Sequence, residues 1–190
     1  MRARDLRPGR IRAEQGSALI VSLILMLVIT IIGLTALQGT TMQTRMATAM
    51  RDRSLAFEAA EAALRDAQGW LAAQTPGGTK PDATSDGSTG VWIAKAPQTA
   101  AGQDDYMEWT TANWTAVGQA YPLQNGAVIA GLAGQPRVVI EEWQFMPEGV
   151  EDDDFLLQVG FQTYRITTNA LGAAPETSVT LQALVRRRIN

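Results

Sequence analysis

The chain contains no cysteine and no histidine. Without cysteine there is no disulfide, no thiolate metal site and no thiol nucleophile, so an exported domain of this sequence relies on its core alone. Without histidine, the commonest general base and the commonest metal ligand are both missing. Proline is absent between Pro8 and Pro76, so nothing in that interval forces a helix to stop. Charge is absent from Ser17 to Thr44, a run of 28 residues.

What is present begins with that uncharged run. Strongly apolar sequence fills Ser17 to Leu37. At about 1.5 Å per residue this predicts a helix of roughly 31 Å, enough to cross a hydrocarbon core of about 30 Å. The run is longer than the apolar part of a secretory signal, and no small-x-small cleavage site follows it, so the segment is expected to be retained. Residues Gln38 to Met42 look like a helix leaving the membrane, with a bend at Gln38–Thr41, whose residues form helix poorly.

The leader ahead of it carries Arg2, Arg4, Arg7, Arg10 and Arg12 against Asp5 and Glu14, a net of +3. The whole chain carries −3, so the remainder carries −6. An acidic remainder argues against nucleic acid as a partner, because phosphates call for a positive face. The arginines put the leader on the cytoplasmic side and the rest of the chain across the membrane.

Beyond the apolar run, Met46, Met50, Phe57, Ala60, Leu64, Ala67 and Leu71 recur at spacings of three, four and seven, which predicts an amphipathic helix continuing to about Gln68. Periodicity alone leaves two readings open: a membrane anchor with a stalk, or the spine of a filament subunit. The domain plan is therefore a leader 1–16, a membrane or filament-core half 17–44, an amphipathic half 45–74 and a head 75–190. The head, about 115 residues, suits one domain. Pro76-Gly77-Gly78, Pro81 and Asp86-Gly87-Ser88 mark a linker. Val91–Ala94 and Trp109–Val117 read as short strands. Stronger strands are expected over Arg137–Met146, Leu156–Ala170 and Thr177–Ile189, the last two joined by a hairpin loop at Leu171–Pro175. The fold class is α+β: a long helix laid by its apolar stripe on an antiparallel sheet. On this reading Leu64→Asp unfolds the head.

No catalytic constellation emerges. Ser17, Ser22, Ser54, Ser85, Ser88 and Ser178 lack a histidine to activate them, and Lys80 and Lys95 lie in no motif. Glu148 and Glu151 to Asp154 form an acidic run without calcium-loop spacing, read as a solvated loop before a cation site. Arg186, Arg187 and Arg188 lie on a strand, where alternate residues face opposite ways, so at least one needs a partner or a sheet edge. Trp92, Trp109, Trp114 and Trp143 read as core in preference to a sugar platform. The expectation is a protein that is not an enzyme and that holds no cofactor or metal.

One resemblance organises these readings. The basic leader, Gly16 and the apolar run from Ser17 resemble the class III signal of type IV pilins and type II secretion pseudopilins. Together with Met42, Arg45-Met46, Arg51-Asp52-Arg53, Ala56-Phe57 and Ala59-Ala60-Glu61-Ala62-Ala63-Leu64, the chain is similar to the PilX-type minor pilins. That resemblance implies cleavage between Gly16 and Ser17 by a prepilin peptidase and methylation of Ser17. It also implies residence in the inner membrane with the head in the periplasm, followed by assembly into a pilus. The partners implied are other minor pilins, the major pilin and a pilus-tip adhesin. The chain departs from the family pattern at Val21, where most pilin-like proteins carry glutamate to meet the terminal amine of the subunit ahead. An unpaired carboxylate there costs several kcal/mol, whereas valine needs no neighbour. The expectation is a subunit at or near the tip that primes assembly. The alternatives are a minor pseudopilin of type II secretion and a membrane-anchored periplasmic binding or sensor domain.

Overall fold

The computed structural model describes residues 15–124, 126–149 and 159–190, with the backbone alone at 15–17 and 37. These residues fall into two compact units that divide between Thr48 and Ala49. A single helix, α1 (Gln15–Gln74), runs through both. It is helical through Gln38–Thr41 and ends six residues beyond Gln68, where Pro76 and its glycines stop it. The leader lies outside the described residues.

In the second unit the chain continues through β1 (Ala83–Thr84), β2 (Val91–Ile93), α2 (Ala96–Ala101), α3 (Thr111–Val117), β3 (Gln119–Ala120), β4 (Arg137–Pro147), β5 (Gly160–Leu171) and β6 (Ser178–Ile189). The three long strands form the expected antiparallel meander, with Ile140 opposite Ile166 and Ile166 opposite Ala183. The class is α+β, a long N-terminal helix with a sheet head, as in pilins. The sheet is nevertheless mixed where an antiparallel one was expected. β1 and β2 run parallel, and β2 runs parallel to β4. The chain between β2 and β4 crosses over through α2 and α3, and a crossover of that length is what a parallel pair requires.

The Trp109–Val117 segment is also a correction, since it is helical. Thr110 and Asn113 cap α3 reciprocally: the Thr110 hydroxyl accepts from the Asn113 N–H at 3.3 Å, and the Asn113 side chain accepts from the Thr110 N–H at 3.0 Å. That local bonding outweighs the alternating pattern.

α1 meets the sheet through alanine. Ala56, Ala59, Ala60, Ala63, Ala67 and Leu71 are buried, against Val138, Ile140, Tyr164, Ile166 and Ala170. Small side chains let the helix backbone come close enough for the Thr168 hydroxyl to donate to the Ala60 carbonyl at 3.1 Å. Met46, Met50 and Phe57 are exposed, Met50 at 72%, and Leu64 is only half-buried. The buried stripe is thus narrower and smaller than the larger side chains suggested.

Candidate functional site

The apolar half of α1 carries its large side chains outward. Leu19 to Leu34 include ten or more exposed leucines, isoleucines, valines and a methionine, among them Val21 at 63%. The helix is long and apolar enough to cross a membrane. Three of its hydroxyls are satisfied within the helix: Ser22 donates to the Leu19 carbonyl at 2.9 Å, Thr30 to Met26 at 2.6 Å, and Thr35 to Ile31 at 3.0 Å. Such back-bonding lets a polar residue sit in an apolar environment without a partner from outside. Gly16 and Ser17 lie at the start of the described part of α1. Val21 stands one turn further on, in a surface without a carboxylate before Asp52.

The head places the other candidates one by one. Lys80 pairs with Glu142 at 2.6 Å. Lys95 has a left-handed backbone, φ 66°, and its N–H donates to Glu141 Oε1 at 3.0 Å. Glu148 accepts from Arg188 at 2.8 Å, while Glu151 to Asp154 lie outside the described residues. The arginine run alternates as a strand must: Arg186 lies 4.5 Å from the Phe161 ring centroid on one face, and Arg187 turns to the other. Among the described residues no group of three His, Cys, Asp or Glu side chains could hold a metal. Trp92, Trp109 and Trp114 are core, but Trp143 is not, being 38% exposed.

The sequence gives little notice of the most buried polar feature. Glu141 is fully buried and accepts from Arg165 through two bonds of 2.7 Å, and from the Tyr106 hydroxyl at 2.8 Å. Gln98, with its amide oriented to match its neighbours, accepts from Arg165 at 2.7 Å and donates to Glu141 at 3.3 Å. Burial, and then the Glu141 charge, push the Tyr106 hydroxyl well above the usual phenol range. Burial works against the Arg165 charge, but Glu141 outweighs it and holds the guanidinium above its ordinary value. The carboxylate, the tyrosine hydroxyl and two of the three guanidinium nitrogens bond within the protein, so the network positions the 91–118 layer. Its sequence signal is the acidic pair Glu141-Glu142 inside the β-branched run RVVIEEWQFM, where an inward charge demands a partner.

Two family models match the chain. One, described as PilX N-terminal, covers residues 15–65; the other, described as type IV pilus assembly protein PilX C-term, covers residues 67–187. No curated protein and no solved structure matches.

Proposed function

The chain belongs to the PilX family of type IV pilus assembly proteins, and from that premise we propose that it is a minor pilin priming filament assembly at or near the tip. The observation that carries the proposal is Val21, an exposed apolar residue in a helix surface free of carboxylates. A subunit with glutamate there needs an amine from a subunit ahead of it; a subunit with valine has no charge to satisfy and is suited to being first.

The route to that position starts in the inner membrane, with the basic leader in the cytoplasm and the head in the periplasm. Prepilin peptidase then cuts between Gly16 and Ser17. Ser17 becomes the methylated N-terminus, and the exposed apolar helix exchanges lipid for the helices of the major pilin and other minor pilins. A pilus-tip adhesin completes the partner set. The protein is a structural component, with no catalytic role.

Deletion of the gene tests this reading, with filaments counted and measured separately. Filament number should fall more than filament length, since elongation uses the major subunit. Labelled protein should mark one end of isolated pili, and Val21→Glu should weaken initiation or shift the label down the fibre. Even labelling along the shaft with normal filament number would sink the tip assignment. The mass of the mature protein tests processing, Ser17 being the expected first residue.

A further inference from the structure

β2 accompanies β4 only at Trp92 opposite Glu141 and Ile93 opposite Glu142, then turns away through the left-handed Lys95 into α2. From Trp143 onward β4 has no β2 beside it, and a cavity of about 570 Å³ occupies the space, lined by Lys80, Asp82, Ile93, Glu142, Trp143 and Gln162 among others. The β4–β5 ladder carries a bulge at this point, between Glu142 and Gln144, which re-aims Trp143.

The lining is rigid and polar. The Arg165 guanidinium lies 4.0 Å from the centroid of the Trp143 ring, and the buried Glu141 clamps that arginine. Trp143 is therefore a fixed plate with one face covered. Lys80 and Glu142 pair across the wall. Gln162 is 1% exposed; its amide nitrogen donates to the Thr163 carbonyl at 3.2 Å, while its Oε1 is buried with no partner. The Tyr164 hydroxyl and Arg187 Nε are also buried and unpaired, and they complete the set of such atoms among the described residues. All three sit together, Gln162 opposite Arg187 and two positions from Tyr164. Of the three only Gln162 lines the cavity, and an unsatisfied buried acceptor in a cavity wall calls for an occupant that can donate to it.

We propose that this cavity binds a neutral saccharide, stacked on Trp143 and hydrogen-bonded by Gln162 and the Lys80–Glu142 pair. An anion would meet the carboxylates of Asp82 and Glu142. A cation would meet Lys80, with Arg165 behind the tryptophan. An apolar ligand would leave the polar wall unpaired. A sugar ring presents C–H groups on one face and hydroxyls that donate and accept around its rim, which matches a plate bordered by mixed donors and acceptors. The volume is within the range of small-molecule sites. The site is independent of the subunit's place in a filament, so its failure would leave the tip assignment standing.

The test uses the full chain in micelles of a detergent without a sugar headgroup. Maltotriose and triacetylchitotriose are titrated separately, with saturation transfer to their ring protons read by NMR. Transfer to at least one trisaccharide is expected, with Trp143→Ala abolishing it and Trp143→Phe retaining it. Gln162→Leu should weaken binding by at least about tenfold. Circular dichroism reports whether each variant folds, and Lys80→Ala serves as the weakened variant if Trp143→Ala does not. Transfer to neither sugar overturns the proposal, as does undiminished binding in folded Trp143→Ala or in Lys80→Ala. Binding of arginine methyl ester or inorganic phosphate at Trp143 in place of the sugars also overturns it.

Discussion

The two faces of the head's sheet are held by different physics. On one, α1 lies against Val138, Ile140, Tyr164 and Ile166 through a seam of alanines ending at Leu71. Contact there is by shape: small residues, close approach, and one hydroxyl reaching a helix carbonyl. On the other, Trp92, Tyr106, Trp109 and Trp114 gather over Val139, with the Tyr106 and Trp109 rings 4.6 Å apart. The short helices of that layer are too brief to be stable alone, so directional bonds to Glu141 fasten them to the sheet. The long helix is seated on the strands by packing, its Asp52 and Asp66 carboxylates bonding only neighbouring loops, whereas a layer of short pieces needs a polar anchor to the sheet itself.

The largest expected effect tests that anchor. Glu141→Leu leaves Arg165 and the Tyr106 hydroxyl without their acceptor, and breaking a buried pair from one side costs about 3–5 kcal/mol. Urea unfolding of the full chain in micelles should show this loss, followed by the emission of the tryptophans in that layer. Glu141→Leu combined with Arg165→Met should recover much of it, because the stranded charge is gone. A single-variant loss below about 1 kcal/mol would put the pair in the class of surface ion pairs and erase the contrast between the faces.

The opposite face should respond to volume and be indifferent to charge pairing. Ala63→Leu forces a larger side chain into a fully buried seam and should cost about 1–3 kcal/mol in the same measurement. Leu64→Asp, at a half-buried position, should be milder than the unfolding expected when Leu64 was placed in the seam. If Ala63→Leu is neutral while Leu64→Asp unfolds the head, the seam is wrongly placed.

This contrast also explains what could be read from sequence. The apolar helix, the three long strands and their hairpin order were legible because hydrophobic period, length and turn residues all agree there. The buried face of α1 was not, since Met50 and Phe57 outweigh alanine in any hydrophobic pattern while packing favours the small residue. Val91–Ala94 does hold a strand, but Trp109–Val117 was misread because Trp109, Trp114 and Val117 suit a strand, and only the Thr110–Asn113 cap tips the segment to helix. The Glu141 network bonds Lys95 to Glu141, 46 residues apart, and Gln98 to Arg165, which lie further apart still, a pairing no local pattern encodes. Trp143 could not be told from its three buried counterparts, because its exposure follows from where β2 stops.

The smallest effect concerns the hairpin loop between β5 and β6, which is fastened to α1 on the alanine-seam side by a charge. The Asp52 carboxylate accepts from the N–H groups of Ala173 and Ala174, and a Cβ at Gly172 would lie 2.5 Å from its Oδ1, so only glycine permits this approach. The Thr177 side chain, then these backbone amides, hold the carboxyl below its ordinary 3.8. A depressed value in the folded state means that the contribution is complete above 3.8 and is lost as pH falls through the lower, folded value. Asp52 is half-buried and its carboxylate reaches only the hairpin loop, so global stability should change little in Asp52→Ala. The sensitive observable is hydrogen exchange at Ala173 and Ala174, which should be faster in the variant at neutral pH while the β4–β5 amides keep their rates. Relative to Asp52→Asn at each pH, the wild-type protection should persist at mild acidity and disappear only below the ordinary carboxylate range. Equal exchange in wild type and Asp52→Ala at neutral pH would show that the loop is held by its strands alone, and that charge serves only the other face of the sheet.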